Sequence, residues 1–321
     1  MIEALKQKNK KICTIDWQNE AQHFFSEIKR ANILQSPEYG RAMAKLNNQR
    51  LRYGLISINN QKAGYVQILE AGILKNAVHA VICDRGPLWF EGFGSIEDQC
   101  AFLETFNKAF PKRLGRRLRF IPEMQHNPII EETLKRQKFT KTSDAYQTYW
   151  LDITPDLETL RQNLKKNWRN TLTKAENESL QIECSDEGRH LACLIKHYER
   201  DKMEKSYDGP SIKTIIHLAS EFSRGKNMLI ATALFNDEPI AAILIFIHSK
   251  AATYQIGYTS DKGRRTNAHY VLLWRMINEL KERGINEFDL GGVNEETAKG
   301  VKRFKTGMGG KFTETLGLYT R

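Results

Sequence analysis

The chain has 321 residues, 40% hydrophobic and 27% charged, with 49 Lys and Arg against 38 Asp and Glu for a formal charge of +11. That content is too apolar for a disordered chain, and the 8 prolines and 21 glycines follow no repeat, which excludes fibrous classes. The longest apolar run, Pro239 to Ile247, falls far short of the roughly 20 residues of a spanning helix, and the N-terminal MIEALKQKNKKI lacks an apolar signal segment, so the expectation is a cytoplasmic protein.

In chain order, Leu51–Ile58 and Ala63–Leu69 read as strands around the turn pair Asn59-Asn60, and Ala77–Cys83 reads as a third strand ending before Asp84-Arg85-Gly86-Pro87. A helix follows at Ile96–Phe110, then a strand at Arg117–Ile121, a helix at Ile129–Gln137 and a strand at Tyr146–Ile153. The clearest helix is Pro155–Glu178, with Thr154 as N-cap and an apolar stripe of Leu157, Leu160, Leu164, Trp168, Leu172 and Ala175. Arg189–Arg200 and Ser211–Arg224 are ordinary helix lengths. Leu229–Phe235 and Pro239–His248 flank the turn Asn236-Asp237, and Ala251–Tyr258 is the next strand. Thr266 or Asn267 caps a helix through Arg283; a strand at Ile285–Leu290, a short helix near Ala298–Lys305 and a strand at Phe312–Tyr319 close the chain.

Both halves therefore read strand, strand, strand, helix, strand, helix, strand. This predicts an α+β protein of two copies of one module, residues 1–153 and 154–321, with helix 155–178 opening the second.

The positive surplus is uneven. Three acid-free stretches carry it: Lys108 to Arg119, Arg161 to Lys174, and Lys299 to Lys311. On a continuous helix Arg161, Lys165 and Arg169 stack at i, i+4, i+8, where like charges repel; an anion, nucleic acid among the candidates, would relieve that. There is no GxSxG elbow, no GxxxxGK(S/T) loop and no HExxH, and no His, Cys or Asp grouping has metal-ligand spacing. His190 and His197 read as ordinary surface or core. The 5 cysteines form no CxxC and suit a reducing compartment.

The order of the second module resembles that of the GNAT acyltransferases, whose splayed sheet frees backbone groups and whose helix N-terminus receives the pyrophosphate of acyl-CoA. Their loop reads Q/R-x-x-G-x-G/A; here Lys262-Gly263-Arg264-Arg265-Thr266-Asn267-Ala268 lacks the glycines after Arg264. The block Phe288-Asp289-Leu290-Gly291-Gly292-Val293, followed by Gly300-Val301-Lys302-Arg303-Phe304-Lys305-Thr306-Gly307-Met308-Gly309-Gly310, resembles the "fDlgG … GlyrFKxgFGg" signature of the Fem family. Those proteins are aminoacyl-tRNA-dependent transferases that build peptidoglycan cross-bridges. Leu34-Gln35-Ser36-Pro37-Glu38-Tyr39 is similar to the family's "LLQSxeW", Arg85-Gly86-Pro87 to its "rGP" turn, and Lys166 to Ala175 to its "kxxRxxirkA" helix.

The resemblance implies two tandem GNAT-like domains with mixed sheets flanked by helices, in a short form without the coiled-coil arm. It implies transfer of an amino acid from aminoacyl-tRNA to an amine of a peptidoglycan precursor, UDP-linked or lipid-linked, the latter bringing peripheral membrane contact. Aminoacyl-tRNA would be the co-substrate, with no further cofactor and no metal. Lys305 takes the family lysine's place as oxyanion donor, with Phe304 packed beside it. Substrate-binding candidates are Gly291, Gly292 and Arg303, the cleft tyrosines Tyr254 and Tyr258, and Lys202, Lys205 and Tyr207 for a pyrophosphate. Arg41 or Lys45, on the helix after "LLQSxeW", would meet precursor phosphate. Arg161, Lys165 and Arg169 are the nucleic-acid candidates. Two alternatives stay open: an acyl-CoA-dependent N-acyltransferase on the same fold, and a non-catalytic nucleic-acid-binding protein.

Overall fold

The computed structural model describes residues 11–20, 22–143, 146–206, 209–293 and 299–321. The first run of elements is β1 (Cys13–Gln18), α1 (Gln22–Ser26), α2 (Pro37–Asn47), β2 (Arg50–Ile58), β3 (Gln61–Ile73), β4 (Val78–Gly86), β5 (Leu88–Trp89), α3 (Ile96–Ala109), β6 (Arg116–Pro122), α4 (Pro128–Arg136) and β7 (Thr140–Ser143). The second is β8 (Gln147–Asp152), α5 (Leu157–Asn163), α6 (Lys166–Glu176), β9 (Gln181–Ser185), α7 (Leu191–Lys205), α8 (Ile212–Ser223), β10 (Met228–Phe235), β11 (Glu238–His248), β12 (Ala251–Thr259), α9 (Asp261–Arg265), α10 (Ala268–Glu282), β13 (Glu287–Gly292), α11 (Lys299–Gly307) and β14 (Lys311–Glu314). A last strand, β15 (Leu318–Thr320), follows.

The two sheets have the same plan. One runs β1-β2-β3-β4-β6-β15-β7, with β5 added beside β3; the other, read in the same direction, runs β9-β10-β11-β12-β13-β8-β14. The fourth and fifth strands of each row, β4 with β6 and β12 with β13, are the parallel pair. The tandem repeat read from the strand and helix pattern is therefore present.

The sixth place in each row is filled reciprocally. In the first sheet β15 enters between β6 and β7; in the second, β8 enters between β13 and β14. The compact units are accordingly residues up to Tyr146 with Glu314–Arg321, and Gln147–Thr313. This differs from the boundary expected at 153/154, because β8 pairs with β13 (Phe288 opposite Leu151) and β15 pairs with β6 (Tyr319 opposite Phe120). The single strand expected at Phe312–Tyr319 is two strands in two different sheets.

In the first unit, Ser95 and Asp98 form a reciprocal capping box that starts α3. The helix lays Phe102, Leu103 and Phe106 on Val81, Leu118 and Phe120, with ring centroids of Phe106 and Phe120 5.6 Å apart. In the second, α10 buries Leu272, Leu273, Met276, Ile277 and Leu280 on the apolar strands β11 and β12 and on Phe288. Each such side chain contributes roughly 1.5–3 kcal/mol by leaving water. Helix α10 thereby fixes the floor on which the candidate site is built.

The expected helix 155–178 is broken. Leu164 and Lys165 are extended (ψ 139 and 141), so α5 ends and α6 restarts, with Lys165 N–H donating to Gly307 O at 2.9 Å. The stack of Arg161, Lys165 and Arg169 therefore does not form. Arg161 makes a two-pronged ion pair with Glu176 (2.6 and 2.8 Å), and Arg169 donates to Gln162 O at 3.0 Å. Their repulsion is relieved internally, which removes the argument for a nucleic-acid face there.

Candidate active site

In the second sheet, β11 pairs with β12 from Ala241 to His248, but the register shifts between Leu244 (opposite Ile256) and Ile245 (opposite Tyr254), leaving Gln255 as a bulge. Strand β12 pairs with β13 only from Ala251 to Thr253; beyond Asp289 the two part. The corresponding strands of the first unit stay paired from His79–Arg116 to Gly86–Pro122. Among the described residues, the second sheet thus opens at its parallel pair while the first stays paired.

Lys305 from α11 fills the opening. Its ammonium donates to Gly291 O at 3.1 Å and Gly292 O at 2.9 Å and lies 5.6 Å from the centre of the Tyr254 ring. The side chain is 8% exposed, so it is no solvated surface lysine. Burial pulls its pKa from 10.5 down to about 8, a fall that the Asp289 carboxylate opposes. Asp289 is fully buried; its Oδ1 accepts from Gly291 N–H at 2.9 Å and from the Thr148 hydroxyl. Gly291 sits at φ 78, and a Cβ there would lie 2.8 Å from Tyr254 O, so both the turn and the close approach demand glycine.

A second layer lies behind the lysine. The Tyr254 hydroxyl meets His269 Nε2 at 3.2 Å, and His269 Nδ1 faces Thr259 Oγ1 at 3.4 Å. Gly257 makes this contact sterically feasible, since its missing Cβ would stand 2.0 Å from the Tyr254 hydroxyl and 3.0 Å from His269 Nε2. Burial, helped by the nearby Lys305 charge, lowers the His269 pKa from 6.5 to about 4. An unfolded chain takes up this proton as pH falls through 6.5 while the folded one resists until about 4. Stability from this group is therefore lost as pH falls across that window, by up to about 3 kcal/mol. His269→Gln should flatten that acid limb, read as urea midpoints of wild type and variant at the two ends of the window.

Phe304 packs on Tyr270 at 4.8 Å and on Trp168 at 5.8 Å, and Trp168 lies 4.8 Å from Tyr270. These rings clamp α11 and set the direction of Lys305.

The structure brings together Lys305, Phe304, Gly291, Gly292 and Tyr254. Tyr258 is not with them. The Gln255 bulge reverses the alternation, so Tyr254 and Gly257 face Lys305 and His269 while Tyr258 turns to the other face and stacks on His197 at 4.1 Å. There it lines a cleft of about 770 Å³ with Arg200, Asp201, Lys262 and Arg264. Lys202 donates to Gly209 O at 2.6 Å and Lys205 pairs with Asp201, both at the end of α7, apart from the lysine cluster. Tyr207 lies outside the described residues. Arg303 is exposed on α11. Arg41 and Lys45 belong to α2 of the first unit, where Arg41 pairs with Glu38 at 3.1 Å. Asp289, Thr148 and His269 were not singled out from sequence. Asp289 stood inside the quoted motif; His269 carries no local signal, because its partner is set by the bulge.

Residues 159–306 match the model of the acetyltransferase (GNAT) domain family. Aminoacyltransferase FemA of Staphylococcus epidermidis is 24% identical over 233 residues, covering 65% of this chain and 51% of that protein. FemA of Staphylococcus aureus strain MW2 is 24% identical over 229 residues, with the same coverage. This chain spans about half the length of those curated relatives. The crystal structure of FemX superposes with a TM-score of 0.76 at 12% identity, covering 95% of this chain and 96% of that one, which establishes the shared tandem fold. Sequence likeness makes the chain similar to the FemA aminoacyltransferases, and its fold is the one shared with FemX, two GNAT-like units in tandem.

Proposed function

We propose that the chain is an acyltransferase that moves an aminoacyl group from aminoacyl-tRNA to an amine of a peptidoglycan precursor. The observation that carries the reading is the Lys305 ammonium seated in the opening between β12 and β13. An acceptor amine attacks the ester carbonyl, the carbonyl oxygen becomes an oxyanion, and the ribose oxygen leaves with the proton the amine gives up. Two of the three N–H bonds of Lys305 hold Gly291 and Gly292; the third supplies the fixed donor an oxyanion needs, in a site too dry for water to compete. The remaining basic surface suits an acceptor stem, which binds through its phosphates with strong salt dependence.

The acyl-CoA reading fits less well. The splay that would bind a thioester arm has two β13 carbonyls taken by Lys305. The loop that would bind pyrophosphate is wound into α9, where Gly263 N–H donates to Ser260 Oγ, Arg264 N–H to Ser260 O and Thr266 N–H to Lys262 O. Those amides are already occupied.

A thermal-shift panel of CoA, acetyl-CoA, a UDP-linked muropeptide and an aminoacylated acceptor-stem mimic tests the assignment. A ligand at about 100 times its Kd adds roughly 2.7 kcal/mol. Stabilisation by the muropeptide or the stem mimic, with none by CoA, is the expected outcome. Stabilisation by CoA alone would overturn the reading.

A further inference from the structure

The far end of the β3–β4 hairpin carries an arrangement that neither the lysine site nor the fold requires. Ile73, Leu74 and Val78 are 64%, 77% and 52% exposed, and Leu114, on the loop before β6, is 98% exposed. The two loops are tied side by side. His79 N–H donates to Gly115 O at 2.8 Å, and the Arg113 guanidinium donates to Ala77 O at 3.1 Å and to Asn76 O. Gly115, at φ 76, lies so close that a Cβ would stand 2.2 Å from Ala77 O. The four aliphatic side chains thus share one tip of the first unit.

Lys75, Lys112, Arg113 and Arg117 surround them, all exposed, and no acid occurs between Ala71 and Cys83 or between Thr105 and Pro122. The backbone is unusual too. Leu74, Lys75 and Asn76 are all left-handed (φ 51, 54 and 67), a conformation that suits Asn and disfavours Leu and Lys. A turn selected for stability alone would carry Gly or Asn at the first position. An exposed leucine held in a disfavoured conformation points to a use for its side chain in a partner.

We propose that this tip docks on an anionic lipid bilayer, its four aliphatic side chains entering the headgroup boundary while the surrounding cations meet lipid phosphates. The combination favours a bilayer over RNA. A nucleic acid gains from cations and from stacking aromatics, and the tip presents aliphatics and no aromatic ring. The inference stands on the first unit alone and does not depend on the transfer chemistry assigned to Lys305.

The test is co-sedimentation of the full chain with vesicles of phosphatidylcholine alone and of phosphatidylcholine with 40% phosphatidylglycerol. Binding to the anionic vesicles, weakened by salt, is expected. Leu74→Asn with Leu114→Asn should reduce that binding at least about tenfold without lowering the Tm, since Asn tolerates the left-handed position. Lys112→Glu with Arg117→Glu should reduce it at least as much, each cation near such a surface being worth roughly fivefold. No binding to anionic vesicles overturns the proposal, and so does binding that survives the leucine pair. Binding of tRNA that disappears in the Lys112/Arg117 variant, with vesicles ignored, would mark the tip as a nucleic-acid surface instead.

Discussion

On the proposed reaction, Lys305→Met is expected to slow aminoacyl transfer by about 100- to 1000-fold while the protein stays folded. Loss of one oxyanion donor in a preorganised site costs that much elsewhere, and methionine fills nearly the same volume without the charge. The stability change is the sum of two opposed effects. Burial of an ammonium, visible in the fall of the Lys305 pKa to about 8, is unfavourable and is removed. The carbonyls of Gly291 and Gly292 lose their donor, at about 1–3 kcal/mol for a buried acceptor left alone. Lys305 is charged below its folded pKa, so wild-type transfer should fall as pH rises through about 8, and this descending limb should vanish from the residual rate of the variant. Initial rates on an aminoacylated acceptor stem across pH 6 to 9.5, roughly two units around that pKa, measure both effects. A variant that keeps more than a tenth of the wild-type rate would remove Lys305 from the chemistry. For stability the direction is opposite: the unfolded chain holds this proton up to 10.5, so the contribution of the group rises between about 8 and 10.5.

Trp168→Ala should cost the second unit about 3–5 kcal/mol, the usual penalty for emptying the space of a buried aromatic ring. Trp168 is 4% exposed, lies against Tyr270 and Phe304, and has its Cδ1 only 2.5 Å from where a Cβ on Gly307 would stand. A domain of ordinary stability holds 5–15 kcal/mol in all, so a loss on this scale lowers the urea midpoint of the unit well beyond experimental scatter. The same contact gives a second reading. Gly307→Ala alone should destabilise, since the indole edge must move, and should do so less in a Trp168→Leu background, where the edge is gone. Additive losses in that cycle would show that the indole and Gly307 do not share the space the structure gives them.

Local periodicity was enough to place most elements within a residue or two. The helix at 96–109 has its cap in Ser95 and its stripe in Phe102, Leu103 and Phe106, and the hairpins turn at Asn59-Asn60 and Asn236-Asp237. The motif around Gly291 and Lys305 led to the cluster because both halves lie in short, glycine-marked segments. What escaped depends on non-local pairing. Nothing in Leu164-Lys165 resembles a helix breaker; the break is set by the bond from Lys165 to Gly307, far away in sequence. The bulge at Gln255, which separates Tyr254 from Tyr258, appears only in the register against β11. The first strands of the two sheets, β1 and β9, were unread because each is short and only half-buried.

The reciprocal placing of β8 and β15 has a bearing on how the molecule is made. A nascent chain grows from its N-terminus, so β6 and β7 leave the ribosome long before their shared neighbour, with residues 144–317 between β7 and β15. Until Leu318–Thr320 arrive, the first sheet has a gap flanked by two unpaired strand edges, a surface open to other growing chains. The second sheet, holding β8 from the outset, has no such wait once β13 and β14 are made. The segment synthesised first is therefore the one completed last, and a gene cut at residue 146 or 313 would encode a first half that never closes.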